Sequence, residues 1–347
     1  MASPHLTQLR KWMLESPPVE WGINQLREML IGALRQGSIP QHVAFVMDGN
    51  RRFARSHKIE TVEGHNLGFE ALARILEVCY KSGVKVVTVY AFSIENFKRS
   101  KYEVDALMEM AKIKLSQLSQ HGELLDRYGA SVRVLGNREL LRPDVVEVID
   151  KAVDMTKNNG ACALNICFPY TSRDEITSAI KSTVEDYTKP LPAHARPFSQ
   201  TRITQKIRSR NLSTSPLRPS SPTPSSTSDI DDSISSTTTL NPESPPNDSH
   251  EYIYPDPESI TSDTLEDHMF TAGDPPLDML IRTSGVNRLS DFMLWQCHEN
   301  TEIVFLDVLW PEFDLWSFLP VLVEYQWRQK HVEEKPMANL PLKTKVR

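Results

Sequence analysis

No apolar run in the sequence approaches the ~20 residues that a membrane-spanning helix needs. The N-terminus has neither the charged flank nor the apolar stretch of a secretory leader. Any contact with a bilayer is therefore expected to be peripheral. Cysteine is scarce. The four present, Cys79, Cys162, Cys167 and Cys297, form no C-x-x-C pair, and three lie inside apolar runs. That argues against a zinc site or a disulfide frame and for buried thiols in a reducing compartment. A basic surplus is missing too. A net charge of −6 speaks against nucleic-acid binding, which needs cations along the phosphate track. It leaves room for a local arginine cluster around a small anion. Internal repeats are not evident. What is there is 347 residues, 39% hydrophobic, with a mean hydropathy of −0.38, enough for one large domain or two small ones with a real core.

Residues 20–36 space Trp21, Ile23, Leu26, Met29, Leu30, Ala33 and Leu34 into one apolar stripe on a helix. Two readings stay open: a helix packed on the core, or a helix lying in a bilayer interface with Trp21 as anchor. After Pro40 the pattern changes. Short β-rich apolar runs at 42–47, 84–90, 131–136, 163–168, 278–283 and 302–306 alternate with helical stretches near 66–82, 103–128, 143–159 and 172–186. This alternation predicts an α/β fold, a parallel sheet covered on both faces. A last helix is expected over 314–330, with Pro320 inside it.

Residues 213–250 are packed with Ser, Thr, Pro and Asp. Such a composition cannot bury enough apolar surface to offset the entropy of ordering, and predicts a disordered segment. A short helix is expected before it, at 202–211. Because 278–330 still supplies strands to the sheet, the segment reads as a loop expanded inside one domain. The expected organisation is a helical segment over 1–39, a catalytic domain over 40–330 with an insert at about 213–254, and a tail over 331–347.

The chemistry-bearing residues gather where strands are expected to end. HVAFVM delivers Asp48, then Gly49 and Asn50 as a turn, then Arg51, Arg52 and Arg55 at the start of a helix. Open α/β sheets bind ligands beyond the carboxyl ends of their strands. A carboxylate there suits Mg²⁺, which favours carboxylate and phosphate oxygens, and guanidinium groups pair phosphate oxygens bidentately. VKVVTVYAF runs into Glu95, Asn96 and Arg99. DMLIRTSG brings Arg282, then Arg288 and Ser290. His65 follows Gly64 on the helix after the first cluster. Asp48 reads as an exposed side chain whose loss leaves the fold intact. Any one of these groups could be a solvated turn or a core histidine. Three anion-binding clusters on three strands of one sheet are hard to reach by accident.

The segments MDGNRRFAR, GHNLGFEAL, FSIENFKR, IRTSGVNRLSDFMLWQ and DVLWPEF, in this order, resemble the signature regions of the cis-prenyltransferase family, which includes undecaprenyl and dehydrodolichyl diphosphate synthases. The resemblance runs from about residue 40 to 330, broken by the insert. It implies a six-stranded, mostly parallel sheet flanked by helices, with a hydrophobic tunnel between the sheet and two helices. Leu107, Met108, Met110, Ile113, Leu115 and Leu118 are candidates to line that tunnel. It further implies condensation of isopentenyl diphosphate with an allylic diphosphate such as farnesyl diphosphate, on Mg²⁺, to make long polyprenyl diphosphates of the dolichol type.

By the same resemblance, Asp48 matches the family's Mg²⁺-diphosphate aspartate, and Gly49, Asn50, Arg51 and Arg52 match its phosphate-binding turn. Arg99 matches an arginine on the allylic diphosphate. Asn96 and His65 match polar residues near the reacting centre. Arg282, Arg288 and Ser290 match the binders of isopentenyl diphosphate. Glu302 falls near the glutamate that completes the Mg²⁺ site in the bacterial branch. Departures point to the eukaryotic branch: Arg51 replaces a glycine, Val286 a glutamate, and Thr61 stands where an arginine is expected. The tail KPMANLPLKTKVR lacks the R-x-G motif of homodimeric members, which implies an accessory subunit of the same fold that supplies it. The implied location is the cytosolic face of the endoplasmic reticulum membrane. The competing readings are a non-catalytic partner subunit of the same fold, and a Mg²⁺-dependent phosphatase using Asp48 as nucleophile, although the second Asp such enzymes carry two positions on is here Asn50.

Overall fold

The computed structural model describes residues 17–120, 123–190 and 254–333. The insert expected at about 213–254 and the short helix expected at 202–211 lie almost entirely outside them, as do the tail and Leu118's side chain. The chain divides into two compact units, Met1–Ser182 with Ser262–Arg347, and Thr183–Thr261. The sheet belongs to the first unit.

Six strands form that sheet: β1 (His42–Val46), β2 (Val86–Tyr90), β3 (Ala130–Leu135), β4 (Cys162–Cys167), β5 (Met279–Arg282) and β6 (Glu302–Phe305). Their order is β3-β4-β2-β1-β5-β6, and every pairing is parallel. The helices are α1 (Pro17–Leu34), α2 (Asn50–His57), α3 (Thr61–Ser82), α4 (Lys101–Gln120), α5 (Glu123–Arg127), α6 (Pro143–Thr156), α7 (Ser172–Thr188), α8 (Ser262–Glu266) and α9 (Leu315–Glu333). Each predicted strand is present within a residue or two. Central strands β1, β2 and β5 are buried along nearly their whole length, which is why their sequences are continuous apolar runs instead of alternating ones.

One face of the sheet, carrying Val43, Phe45, Val87, Val89 and Ile281, packs against α3, α4, α6 and α9 in the larger core. Phe45 is fully buried at its centre. Its ring lies 5.8 Å from Trp310, 5.8 Å from Phe318 and 6.1 Å from Phe313. Truncating such a residue to alanine costs about 3–5 kcal/mol. Two glycines set how closely α3 approaches α2. A Cβ at Gly64 would stand 2.6 Å from the Asn50 carbonyl oxygen, and one at Gly68 would stand 2.5 Å from Asn50 Oδ1. The helix after the first cluster is thereby held tight against the turn that carries it.

The opposite face carries a polar row among its apolar residues. His42 Nε2 accepts from Thr88 Oγ1 at 2.7 Å, and its Nδ1–H donates to the Pro275 carbonyl at 3.0 Å. Asn165 Nδ2 donates to Thr88 Oγ1 at 3.2 Å and to Asp274 at 2.7 Å. Arg133 Nε reaches Asn165 at 2.9 Å, and its guanidinium pairs with Asp274. Four adjacent strands are thus tied to the segment leading into β5, and each side chain of the row has a partner.

The N-terminal stripe divides. Ile31 and Leu34 of α1 enter the core, while Trp21, Leu26 and Met29 are exposed, Trp21 at 67% and Met29 at 64%. Gln326 of α9 donates to the Leu34 carbonyl at 2.6 Å and fixes this end of the helix. The core reading thus holds for one edge of the stripe, Leu34 with the partly buried Ile23 and Leu30, beside Ile31, and the other edge, Trp21, Leu26, Met29 and Ala33, is exposed. Among the described residues no helix is long and apolar enough to cross a membrane.

Burial lowers the basicity of the His42 imidazole, and the Pro275 carbonyl and the carboxylates of Asp274 and Asp278 offset it only in part. The folded state therefore refuses a proton that the unfolded chain takes up near the ordinary value of 6.5. Stability is expected to decline as pH falls below that value, at a slope of up to about 1.4 kcal/mol per pH unit for one such group. Urea midpoints between pH 7.5 and 5 should fall less steeply for His42→Gln. Equal slopes in the two proteins would remove His42 from the account.

Candidate functional site

All strands run the same way, so the loops after β1, β2 and β5 meet at one edge of the sheet. The first begins two residues past β1. Asp48 N–H donates to Thr283 Oγ1 at 3.2 Å, the Asp48 carbonyl accepts from Thr283 Oγ1 at 2.8 Å, and from Trp310 N–H at 3.1 Å. Trp310, from the DVLWPEF segment, also donates its indole N–H to the Gly68 carbonyl at 2.7 Å. The backbone of Asp48 is thus held from the residue after β5 and from Trp310 in the loop after β6, which α3 holds in turn. Gly49 has φ +112° and lies 3.0 Å from Leu309 where a Cβ would be; only glycine fits there. It caps α2, whose N-terminal amides face the same space, an arrangement that favours anions.

The carboxylate of Asp48 pairs with Arg282, Oδ2 to Nη2 at 2.7 Å. Oδ1 accepts from Gly49 N–H at 2.7 Å. Burial alone would raise the Asp48 carboxyl, but Arg282, Ser284 and the Gly49 amide together outweigh it and leave the group below its ordinary range, ionised near neutrality. The Arg282 side chain is 3% exposed and that of Asp48 37%. Arg282 Nη1 donates to Ser290 Oγ at 2.5 Å and to the Arg288 carbonyl at 2.6 Å. Arg288 Nε reaches Ser290 Oγ at 3.2 Å. Arg52 Nη2 donates to the Ser284 carbonyl at 2.8 Å. In the second loop Arg99 donates to Asn96 Oδ1 at 2.8 Å and pairs with Glu103 at 2.8 Å. Arg51 stands 3.9 Å from Glu103.

These side chains open on a cavity of about 820 Å³. Its mouth is lined by Asp48, Gly49, Asn50, Arg51, Arg52, His65, Asn96, Arg99, Arg282, Arg288 and Ser290. Three buried polar atoms of residues around it, Asn50 Oδ1, His65 Nε2 and Arg282 Nε, have no hydrogen-bond partner among the described residues. Buried polar groups are seldom left unpaired, and all three belong to residues that line the cavity. The His65 imidazole is pushed down to about 4, first by burial and then by the cations of Arg99 and Arg51. It is neutral at physiological pH. Away from the mouth the lining turns apolar: Phe69 and Leu72 of α3, Leu107, Met110, Ala111 and Leu115 of α4, and Val134, Ile166 and Phe168 from the sheet side.

Two sequence expectations change. Glu302 is not brought to Asp48. It begins β6, level with Met279, at the amino end of a parallel strand and so at the far edge of the sheet, where it pairs with Arg328 at 3.2 Å. Spacing placed it near a motif, but strand direction carries it away. Asp48 is not a free exposed ligand either; it is half-buried and neutralises Arg282. Along α4, Leu107, Met110 and Leu115 line the cavity as expected, Met108 is core at 3% exposure, and Ile113 faces solvent at 55%. Phe69, Leu72 and Trp310 went unremarked; the i, i+3 pair on α3 was the available signal for the first two.

Among the described residues no group of three or more His, Cys, Asp or Glu side chains could hold a metal ion. A single ionised carboxylate among arginines fits Mg²⁺ nonetheless, since that ion takes one or two carboxylates and completes its shell with phosphate oxygens and water. Asp48 is the residue that would hold it.

An arginine-rich cluster on the carboxyl edge of an all-parallel sheet, opening on an apolar cavity between the sheet and two helices, defines the class: an α/β protein whose site joins a cationic surface to an apolar one. Residues 46–333 match the model of the putative undecaprenyl diphosphate synthase family, and the chain belongs to that family of cis-prenyltransferases. It is 44% identical to a dehydrodolichyl diphosphate synthase complex subunit of Schizosaccharomyces pombe over 92% of this chain and 97% of that one. It is 36% identical to the human dehydrodolichyl diphosphate synthase complex subunit over 84% and 69%. Lavandulyl diphosphate synthase from Lavandula x intermedia, solved with dimethylallyl diphosphate, superposes with a TM-score of 0.58 at 25% identity, over 83% of this chain and 95% of that chain.

Removing Asp48 leaves a buried guanidinium with one partner fewer. A charge-assisted contact of this kind is worth about 1.5–3 kcal/mol, reduced here by the solvent that reaches the carboxylate. Asp48→Ala should therefore fold but melt a few degrees below the parent, and Asp48→Asn should melt between the two. Calorimetry reads this directly, and an unchanged midpoint in the alanine variant would show that the pair contributes nothing.

Proposed function

We propose that this chain is the catalytic subunit of a Mg²⁺-dependent cis-prenyltransferase that adds isopentenyl diphosphate units to farnesyl diphosphate and makes long-chain dehydrodolichyl diphosphate. The observation that carries this reading is the junction of an arginine-rich cradle around Asp48 with an apolar cavity. An allylic diphosphate has that two-part chemistry. Asn50, Arg51, Arg52 and Arg99 hold its head, and its hydrocarbon lies along Phe69, Leu107, Met110 and Leu115. Arg282, Arg288 and Ser290 hold the diphosphate of the isopentenyl unit. The new carbon–carbon bond forms as the allylic carbon–oxygen bond breaks, and the arginines stabilise the charge gathering on the departing diphosphate. Bound at Asp48, Mg²⁺ would add a Lewis acid at the same oxygens. Holding both substrates in register supplies much of the remaining acceleration. A proton then leaves the isopentenyl unit. A His65 imidazole at about 4 is a weak base, which favours the released diphosphate as its acceptor; His65 and Asn96 orient the reacting groups.

The competing reading, a non-catalytic subunit of the same fold, is disfavoured because Asp48 and the arginines form a connected, intact cradle. The heteromeric reading is supported by the S. pombe and human relatives, both named as complex subunits. We place the working enzyme on the cytosolic face of the endoplasmic reticulum, with an accessory subunit of the same fold whose C-terminal R-x-G completes the isopentenyl diphosphate site.

The test is incorporation of labelled isopentenyl diphosphate into an organic-soluble product, with farnesyl diphosphate and Mg²⁺, for the chain alone and with that subunit. Strong stimulation by the intact partner is expected, none by a partner lacking its last residues, and no product from Asp48→Ala. Normal turnover by a folded Asp48→Ala protein would sink the assignment. Full activity of the chain alone would sink the heteromer.

Peripheral membrane contact is supported by the exposed Trp21, Leu26 and Met29 of α1, since an amphipathic helix of this kind binds the interface through its apolar face. Leu26→Glu with Met29→Glu should release the protein from sedimenting liposomes while sparing turnover in detergent. Continued co-sedimentation would place the contact elsewhere.

A further inference from the structure

The loop that follows β5 crosses the carboxyl edge of the sheet like a strap. It starts at Arg282 and passes the end of β2, where Tyr90 Oη donates to the Ser290 carbonyl at 3.3 Å and the Tyr90 ring stacks on Phe292 at 4.6 Å. It lands on the start of α7. Arg288 and Ser290, the two anion ligands of the strap, sit in the middle of this span.

The backbone of the strap is not at rest. Ser284, Ser290, Asp291 and Met293 have φ of +84°, +53°, +60° and +47°. Non-glycine residues reach this region seldom and at a cost, and persist there only when their surroundings hold them. Ser284 N–H is held by the Val308 carbonyl at 2.7 Å and Met293 N–H by Tyr170 Oη at 3.3 Å, and between them Asp291 makes three contacts with the start of α7. Asp291 Oδ1 accepts from Arg173 N–H at 3.1 Å and Oδ2 from Arg173 Nε at 2.7 Å. The Asp291 carbonyl accepts from Ser172 N–H at 2.8 Å. Ser172 Oγ in turn accepts from Leu294 N–H at 3.0 Å. The carboxylate is 15% exposed and sits on the first turn of a helix, where a negative charge is favoured and free amides need acceptors. α7 follows β4 in the interior of the sheet, so the landing point is rigid.

We propose that Asp291 is a positioning residue: by clamping the strap to the first turn of α7 it fixes Ser290 Oγ where that atom joins Arg282 to Arg288. This rests on the reading that these three residues bind isopentenyl diphosphate. Without the clamp Ser290 and Asp291 relax from the left-handed conformation, and Ser290 and Arg288 leave the geometry that Arg282 alone cannot restore. The allylic half of the cradle, on α2 and the β2 loop, meets the strap at its β5 end, where Arg52 donates to the Ser284 carbonyl, seven residues before Asp291 and away from the clamp. Asp291 therefore acts on one substrate and not on the other.

The full chain, with its partner subunit if activity requires one, is assayed with each substrate varied in turn. Asp291→Ala is expected to raise KM for isopentenyl diphosphate about tenfold or more while KM for farnesyl diphosphate and kcat stay within about twofold. Asp291→Asn keeps an acceptor for the Arg173 amide and tolerates a positive φ, and should recover most of the loss. Arg173→Ala should raise the same KM by a smaller factor, and the double variant should be no worse than Asp291→Ala, because both act through one clamp. An unchanged KM for isopentenyl diphosphate in Asp291→Ala overturns the proposal, as does an equal rise in both KM values or multiplication of the two single effects. Should Asp291→Ala fail to fold, Asp291→Asn and Arg173→Ala decide in its place, and unchanged KM values in both overturn it. If the parent protein condenses neither substrate, it is the functional reading that fails, not the clamp.

Discussion

The contact between Asp48 and Arg282 joins two neighbouring parallel strands at the edge where the site is built. Val46 and Arg282 are in register across β1 and β5, so the residue two positions past Val46 can turn back onto the guanidinium. Parallel direction is the condition for this. Were either strand reversed, its functional side chain would lie at the far edge. From that pair the rest of the cradle is reached by short steps: Arg282 to Ser290 and Arg288, Asp48 through Trp310 to α3. A residue of the core, Phe45, supports it from below by fixing Trp310 over the strand.

A site for diphosphates has a folding problem before it has a binding problem. Arg51, Arg52, Arg99, Arg282 and Arg288 repel one another until a ligand arrives, and a buried cation without a partner costs several kcal/mol. The structure meets this with internal counterions and carbonyls. Asp48 neutralises Arg282, Glu103 neutralises Arg99, and the Ser284 and Arg288 carbonyls take further N–H groups. Under the proposed function each of these acceptors would be exchanged for a phosphate oxygen. Binding would then replace one set of charge-assisted contacts by another instead of filling an empty, strained array.

Much of this was legible because the signals were local. Apolar runs bounded by turn residues gave the strands, and the polar groups placed directly after them had to share an edge once the sheet was parallel. Glu302 shows where local reading fails. Its neighbours are strand residues on both readings, and only the direction of β6 decides which edge it occupies. Asp291 shows a second failure. Nothing in SDFM announces three left-handed residues, since serine, aspartate and methionine are poor predictors of that conformation apart from the modest tolerance of aspartate. The clamp on Arg173 joins residues 118 positions apart, beyond any periodicity.

The split of α1 follows from the same limit and bears on how the fold and a membrane surface would divide one helix. A stripe of apolar residues at 3.6 spacing has one centre, and periodicity does not say whether protein or lipid covers it. In the structure the width of the stripe exceeds what the core accepts. Ile31 and Leu34 are covered, and Gln326 locks the helix end, so the helix is oriented before any lipid is met. Trp21, Leu26 and Met29 are left turned outward as a consequence of that docking. A helix fixed in this way would lose no further backbone entropy on reaching an interface, so its few exposed apolar residues would bind there with less offset than a free peptide of the same sequence.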